Sequence, residues 1–316
     1  MNTTSSCNHS KITEFLLVGF SAPRPLRVLL FSICLVIYIM ALGANLMIIA
    51  LYLGSHHLRS PMYFFLSNLS ATDILLSTTV GPNLLCTLLK DGNPMSVSAC
   101  VTQFFAYGFF TGVECFLLTV MAYDRYLAIC KPLHYVTIMT NKHCLHLVIW
   151  SWLEIILFLL PITVMISHPG FCGCNTLDYI YCDTAPLLKL SCSDVFVVER
   201  AITVVIIPVA VIPLLFILTT YAIILLSIFR ISSNTGRQKA FSTCSSHLTV
   251  VSMFYGILIA KYTSGNLNKL TSLLYTLVTP LFNPIVYSLR NQDIQKTMTA
   301  LISVGLRQKR EHMTIK

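Results

Sequence analysis

The residues best placed to do chemistry are an adjacent acid and arginine, Asp124 and Arg125, which are followed by Tyr126. They come at the end of a long apolar run that begins near Cys100. The 25 residues from Cys100 to Arg125 would rise roughly 37 Å as a helix, about the full depth of a bilayer. A charge pair at the end of a membrane helix is costly to keep there, so it indicates a functional role that depends on electrostatics.

Three further acids lie at membrane depth: Asp73, Glu114 and Glu154. Each is expected to face the bundle interior or water, because exposure to lipid costs several kcal/mol. Asp73 is in the middle of its span, and Asn45 and Asn283 fall at comparable depths of the first and seventh spans. Their convergence predicts a hydrated polar cluster that could bind a cation such as Na⁺. Interhelical hydrogen bonding that only holds the helices together is the alternative.

Pro284, in the stretch Asn-Pro-Ile-Val-Tyr that ends at Tyr287, removes a backbone hydrogen bond near the inner end of the seventh span. A kink beside an asparagine and a tyrosine predicts a hinge, and an ordinary proline kink is the alternative.

No catalytic set is found in the sequence. The chain has no G-x-S-x-G, H-E-x-x-H or P-loop motif, and no histidine pair stands near its cysteines as a metal site would require. The prediction is therefore a protein that is not an enzyme, with no metal site other than the cation site in the polar core.

The elements that must position these residues are membrane spans. The chain of 316 residues is 55% hydrophobic and only 10% charged, with a mean hydropathy of +0.76, whereas soluble domains carry about 25% charged residues. The sequence therefore predicts an all-α membrane protein, a bundle of seven transmembrane helices. The predicted spans are 27–53, 61–88, 100–127, 143–167, 198–229, 241–260 and 270–289.

The distribution of charge sets the predicted orientation. Of the 21 Lys and Arg residues, 13 fall in one set of loops with the C-terminus and 8 in the other set, which also carries most of the loop acids. The positive-inside rule then places the N-terminus outside and the C-terminus in the cytoplasm. The formal charge of +9 belongs to a membrane-facing cytoplasmic surface, so no nucleic-acid partner is predicted.

The predicted organisation is an extracellular tail (1–26), a seven-helix domain (27–289) with a long extracellular loop (168–197), and a basic cytoplasmic tail (290–316). Asn2 and Asn8 begin N-x-S/T sequons in the extracellular tail and are predicted glycosylation sites.

Four cysteines lie at the predicted outer surface, where the environment is oxidising and disulfides are expected. They allow three pairings, among which spacing alone does not choose, and Cys7 and Cys174 add to the ambiguity. The four are Cys100, Cys172, Cys182 and Cys192.

Together these segments resemble the odorant (olfactory) receptors, a branch of the rhodopsin-like (class A) G protein-coupled receptors. The matching motifs run along nearly the whole chain. They are Thr-Glu-Phe-Leu-Leu-Val-Gly-Phe from Thr13, Pro-Met-Tyr-Phe-Phe-Leu-Ser from Pro61, Met-Ala-Tyr-Asp-Arg-Tyr from Met121, Lys-Ala-Phe-Ser-Thr-Cys from Lys239 and Pro-Leu-Phe-Asn-Pro-Ile-Val-Tyr from Pro280.

The resemblance implies a receptor that binds a small volatile ligand from outside and activates a stimulatory heterotrimeric G protein, and hence cAMP signalling. It implies a plasma-membrane location, with olfactory cilia expected, and the bridges Cys100–Cys182 and Cys172–Cys192. Arg125 would pair with Asp124 at rest and be freed on activation. Tyr221 and Tyr287 would rearrange with it, as would the segment of Asn283 and Pro284.

The resemblance also places the ligand pocket in the outer half of the third, fifth, sixth and seventh spans. For each pocket residue, bundle packing is the alternative, and Gly108 and Gly112 would either make room for ligand or let helices approach closely. The predicted pocket residues are Tyr107, Gly108, Thr111, Gly112, Cys115, Ile206, Tyr255, Leu258, Ile259, Tyr262 and Thr276.

Two other kinds of protein are alternatives to an odorant receptor. A non-olfactory class A receptor would bind another small ligand, although an amine receptor would need an acid on the outer third span and an opsin a lysine in the seventh. A transporter would show paired broken helices or an inverted repeat, and neither is evident.

Overall fold

The structure is a computed structural model that describes residues 12–299, apart from 91, 169, 173, 193, 231–232, 264–267 and 292–293. Within this part, six helices are long and apolar enough to cross a membrane. The helix Pro61–Leu89 has the required length but a more polar sequence, with Asp73 and several serines and threonines. The architecture is the predicted bundle of seven transmembrane helices.

The helices follow one another in the order expected for seven spans. In chain order they are α1 (Arg24–Gly54), α2 (Pro61–Leu89), α3 (Val97–Cys130), α4 (Pro132–Ile138), α5 (Asn141–Ser167), α6 (Thr184–Leu190), α7 (Val195–Ile206), α8 (Ile212–Phe229), α9 (Asn234–Thr263), α10 (Asn268–Leu273) and α11 (Thr279–Arg290). The short α4 and α6 lie in loops. The fifth span consists of α7 and α8, and the seventh of α10 and α11. The remaining five long helices are one span each.

A π-helical turn joins the two halves of the fifth span (Ile207–Val211) and of the seventh (Leu274–Val278). Pro208 lies within the first turn, and Pro213 and Pro280 lie two residues after the first and second turns, where the missing N–H breaks the regular ladder of helical hydrogen bonds. Pro284 lies inside α11. The hinge expected at Pro284 stays a prediction.

Several helices extend beyond the predicted apolar spans. The third span was predicted to begin at residue 100, but α3 begins at Val97, because Ser96 Oγ accepts a hydrogen bond from the N–H of Ala99 and caps the helix. Hydropathy reports the part of a helix at membrane depth, whereas capping and loop contacts decide where the helix ends.

α3 is the central helix of the bundle. It packs against α2, α5, α8 and α9, and 56% of its most apolar stretch is buried, as in the seventh span, against 11% in the fifth. The exposed leucines, isoleucines and valines of α1, α5 and the fifth span therefore form the lipid-facing surface. The charged and polar residues of α3 consequently have neighbours on several sides.

A small sheet, which the sequence did not predict, lies over the outer end of the bundle. β1 (Glu14–Leu17) pairs antiparallel with β2 (Asn93–Ser96) and parallel with β3 (Thr176–Leu177), in the order β2-β1-β3. Phe15 and Leu17 point inward and are fully buried. The sheet and the long loop around it share a hydrophobic cluster with the outer ends of α3, α5 and α7, separate from the main core of the bundle, so they form a packed lid.

Candidate functional site

The predicted charge pair forms at the inner end of α3. Arg125 Nε donates to Asp124 Oδ2 at 3.0 Å, and the second oxygen, Oδ1, accepts from the hydroxyl of Tyr135 at 2.8 Å. Asp124 is fully buried and the Arg125 side chain is 14% exposed. Burial, together with the charge of Asp124, raises the pKa of Tyr135 on α4, so Tyr135 remains a donor at physiological pH. Asp124 thus binds Arg125 with one carboxylate oxygen and is anchored to α4 through Tyr135 with the other. Tyr126 is half-buried beside the pair.

Tyr221 of α8 and His247 of α9 join the fifth and sixth spans near the same end. The Tyr221 hydroxyl lies 2.7 Å from His247 Nδ1, and the two rings stack with centroids 5.5 Å apart. Tyr287 of α11 is also buried, and its hydroxyl has no hydrogen-bond partner among the described residues. His247 carries no signal of this role in the sequence, because its partner stands 26 residues away on another span.

The polar core joins two of its three predicted members directly. Asn283 Nδ2 donates to both carboxylate oxygens of Asp73, at 3.1 Å each. Asn45 instead donates to the carbonyl of Pro280 at 2.7 Å. That carbonyl precedes Pro284 by four residues, and because Pro284 has no N–H, the helix supplies no donor to it. Asn45 therefore supplies the hydrogen bond to the Pro280 carbonyl that Pro284 cannot donate.

Glu114 belongs to this polar core as well. Its side chain is fully buried, and its Oε2 accepts from the Tyr275 hydroxyl at 2.9 Å. Its carboxyl also lies close to that of Asp73. The sequence placed Glu114 at membrane depth, but it could not pair the acid with residues of two other spans. Glu154 lies apart, half-buried on α5.

Most of the predicted pocket residues face the interior. Tyr107, Cys115, Tyr255, Leu258 and Thr276 are buried. Thr111 and Ile206 are half-buried, and the side chain of Tyr262 lies outside the described part of the chain. The prediction that Ile259 lines the pocket is wrong. Its side chain is 54% exposed and faces away from the bundle, because successive residues of a helix are rotated by about 100° and the preceding Leu258 is buried.

Gly108 and Gly112 face α5. A Cβ built on Gly112 would lie 2.4 Å from Ile155 Cδ1, and one built on Gly108 would lie 3.1 Å from Leu159 Cδ2. Of the two roles considered for these glycines, the structure favours close approach of helices.

Several bonds fasten the lid to the outer ends of the helices. The disulfide Cys100–Cys182 joins α3 to the long loop, and Cys172–Cys192 closes the loop on itself. Gln103 on α3 accepts from the N–H of Cys182 at 3.0 Å. The Tyr179 hydroxyl lies 2.7 Å from Ser272 Oγ in the seventh span. Cys174 is also disulfide-bonded, and the sequons at Asn2 and Asn8 lie outside the described residues.

A buried cluster around Lys261, at the outer end of the bundle, was not predicted from the sequence. Lys261, one of the eight Lys and Arg residues assigned to the outer loops, lies on α9 and is only 6% exposed. Its Nζ is 2.8 Å from Asp183 Oδ2 and donates to the hydroxyls of Tyr107 and Tyr181, at 3.0 Å each. The one available signal was a lysine that follows an apolar helix without a break. Its partners come from residues far away in sequence.

A bundle of seven helices, with a buried acid–arginine pair at the inner end of its central helix and a bridged loop over its outer end, defines a rhodopsin-like seven-transmembrane receptor. A family model described as olfactory receptor matches residues 33–304. The chain belongs to the olfactory receptor family, whose members are G protein-coupled receptors and not enzymes.

Curated relatives match over nearly their full length. The chain is 41% identical over 294 residues to olfactory receptor 5G29 of Mus musculus, which covers 91% of this chain and 94% of the relative. It is 43% identical over 302 residues to olfactory receptor 11G2 of Homo sapiens, with 93% and 87% covered. It is equally similar to olfactory receptor 2G6 of Homo sapiens, with 93% and 95% covered.

Proposed function

We propose that this olfactory receptor responds to a small volatile ligand in the outer half of its bundle by activating a stimulatory heterotrimeric G protein, which raises cAMP. The observation that carries the proposal is the state of Arg125. Its side chain is 14% exposed and held by Asp124, at the end of a central helix that passes both the lid and the polar core. An arginine held this way is a site that a conformational change can expose.

The ligand acts by population shift. A ligand that binds the active arrangement better than the resting one moves the equilibrium by its difference in affinity for the two. The Tyr221–His247 contact between the fifth and sixth spans must rearrange when their inner ends separate. Release of Arg125 from Asp124 then presents a cation to the G protein.

We also propose that the polar core binds Na⁺. Asp73 and Glu114 are two fully buried carboxyls that lie close together, and a proton or a cation between them would relieve the repulsion of two negative charges. Three oxygens in this region have no hydrogen-bond partner among the described residues: Asn45 Oδ1, Glu114 Oε1 and Asn283 Oδ1. A hard cation prefers such oxygen ligands. When bound, the ion would neutralise the carboxylates and favour the resting arrangement.

A cAMP assay in cells that express the receptor with a stimulatory G protein tests the signalling proposal. At least one volatile in a broad panel should raise cAMP, and Arg125→Ala should abolish the rise at equal surface expression. Arg59→Ala, at an exposed arginine between α1 and α2, is the matched control and should respond normally. Equal responses from Arg125→Ala and the unmodified receptor would overturn the proposal.

Fluorescence of a tagged receptor in olfactory neurons tests the expected location in the plasma membrane of cilia.

The cation proposal has a separate test. Replacing K⁺ by Na⁺ should raise the melting temperature of the purified ligand-free receptor, and Asp73→Asn should remove that difference. An equal response of Asp73→Asn to Na⁺ would exclude the site.

A further inference from the structure

Lys261 builds an unusual polar group at the outer end of the bundle. Its ammonium lies within 3.0 Å of three acceptors: Asp183 Oδ2 and the hydroxyl oxygens of Tyr107 and Tyr181. It also lies 4.5 Å from the centroid of the Tyr107 ring. An ammonium retains its charge out of water only where acceptors replace the lost hydration. If one of these acceptors moves away, the buried ammonium of Lys261 is stabilised by any new acceptor that takes its place.

Tyr181 is the neutral acceptor that the lid supplies. Tyr107 is part of α3, and Asp183, the other acceptor from the lid, is the counterion of the ammonium, so only the Tyr181 side chain can turn away without moving a helix or separating the ion pair. That side chain is fully buried, and its ring centroid lies 4.7 Å from that of Tyr107. Tyr181 thus brings an apolar ring with a single oxygen into the mouth of the bundle, and these are the properties of a small oxygen-bearing volatile.

We propose that Tyr181 fills, in the ligand-free receptor, the subsite that an odorant takes when it binds, and that Lys261 and Tyr107 recognise the oxygen of that odorant. The inference rests on the proposed odorant-receptor function and assigns the ligand class. The ligand is an uncharged molecule with one hydrogen-bond acceptor, such as a ketone, an aldehyde or an ester, on a hydrocarbon body.

Hydrogen bonding accounts for the oxygen. When Tyr181 moves out, one N–H of Lys261 loses its acceptor. The hydroxyl of Tyr107 lies beside the vacated position, and its oxygen accepts from the same ammonium while its hydrogen can be donated to a ligand. A hydrocarbon would leave these buried groups unsatisfied, whereas a carbonyl oxygen can accept from both.

Charge balance accounts for the neutrality of the ligand. Lys261 and Asp183 form a buried pair with no net charge. Burial raises the pKa of Tyr181, so the phenol that the ligand replaces is neutral at neutral pH. A carboxylate ligand would add a second anion beside Asp183, and an amine would add a second cation beside Lys261.

The walls of the subsite account for the hydrocarbon body. The Tyr181 ring lies against the rings of Tyr107 and Tyr179, with centroids 4.7 and 5.5 Å away. All three side chains are buried. A mostly apolar surface with a few polar groups at one end matches a ligand that is apolar except at one end.

A matched ligand series tests the inference in the cAMP assay. Acetophenone is the neutral acceptor, ethylbenzene lacks the oxygen, benzoate carries a negative charge and benzylamine a positive one. We expect acetophenone, or ketones and esters of other skeletons in a wider panel, to be more potent than their hydrocarbon and charged counterparts. A receptor that prefers benzoate or benzylamine would overturn the assignment of a neutral ligand.

Substitution of the lysine tests the anchor. Lys261→Met keeps the stem and removes the ammonium, so we expect EC50 for the ketone to rise about 10- to 100-fold, the effect of losing a hydrogen bond from a charged donor. The pair Lys261→Met/Asp183→Asn does the same without an unpaired buried acid, and it serves if the single variant fails to reach the surface. Lys269→Met is the matched control, because Lys269 also binds the lid, through Asp178, but is 25% exposed. Unchanged EC50 in both Lys261 variants would refute the anchor.

Substitution of the tyrosine tests the displaced occupant. Tyr181→Ala should lower EC50 about tenfold, if Tyr181 fills the subsite in about 90% of ligand-free receptors. Tyr181→Phe keeps the ring and should lower EC50 less. A rise in EC50 for both variants, at normal surface expression, would show that Tyr181 holds the ligand and does not compete with it.

The two proposals fail in different ways. A receptor that reaches the surface and responds to no volatile in the panel contradicts the proposed function. A receptor that responds to volatiles, but equally with and without the Lys261 ammonium, keeps its proposed function and loses the proposed subsite.

Discussion

Tyr275, in the π turn of the seventh span, donates a 2.9 Å hydrogen bond to Glu114 of α3, and both side chains are fully buried. The ring of Tyr275 packs against Tyr107, which in turn binds Lys261 beneath the lid. Glu114 also lies close to Asp73. Tyr275 therefore stands between the outer subsite and the polar core.

Tyr275→Phe should lower stability. The substitution leaves a buried carboxyl without its phenol donor, which costs about 1.5–3 kcal/mol. The melting temperature of the purified receptor should fall accordingly. Tyr38→Phe is the control, because the Tyr38 hydroxyl makes a long, exposed contact of 3.4 Å with Thr78 and should have little effect. Equal melting temperatures of the two variants would show that the Glu114 bond contributes little.

Tyr135→Phe should raise basal signalling. Without the 2.8 Å bond from Tyr135, Asp124 is held only from its other side, and α4 is freed from the end of α3. We expect basal cAMP to rise about two- to fivefold, as for a shift of roughly 0.5–1 kcal/mol in the resting equilibrium. Tyr123→Phe, one residue before Asp124, controls for loss of a hydroxyl from the same helix end. Unchanged basal cAMP at matched surface expression would contradict this role.

Gly112→Ala should destabilise the bundle through α5. The new methyl group would lie 2.4 Å from Ile155 Cδ1, so the isoleucine must move, at a cost of about 1–3 kcal/mol. The second substitution Ile155→Val should restore part of the lost melting temperature. Gly43→Ala is the control, because a Cβ there meets nothing within 4 Å. If Gly112→Ala instead changed ligand preference without loss of stability, Gly112 would line the pocket.

The lid should lose stability at high pH. Burial raises the pKa of Tyr179 to about 12, so the folded lid retains its proton above the pH at which the unfolded chain loses it. The contribution of Tyr179 to the free energy of unfolding is fully present below about pH 10. It falls by up to about 1.4 kcal/mol per pH unit between pH 10 and 12. Tyr179→Phe should make the fall in melting temperature over this range smaller. An equally steep fall in the variant would assign the effect to other groups.

The spans and the acid–arginine pair could be predicted from the sequence because their causes are local. A run of apolar residues long enough to cross a bilayer needs no partner, and Asp124 and Arg125 are neighbours in the chain. The outer sheet was missed because β1 is four residues long and pairs with segments about 80 and 160 residues away. No periodicity in the chain reports such a pairing.

The candidate site shows the same division. Buried positions such as Tyr107 and Leu258 could be predicted from helical spacing and from the family. The prediction that Ile259 faces the pocket was wrong, because the sequence does not define the rotation of α9 about its axis. Lys261 looked like a loop charge because a lysine at the end of an apolar run usually reaches water.

The sequence by itself determined that this chain is a seven-helix membrane receptor, because hydrophobic length, loop charge and contiguous motifs act within short stretches. Only the tertiary structure decided that Glu114 meets Asp73 and Tyr275, and that Lys261 turns inward to Asp183 under the lid. Those contacts join groups on different spans. Their formation depends on how the helices rotate and pack, and that balance is settled by the whole bundle at once.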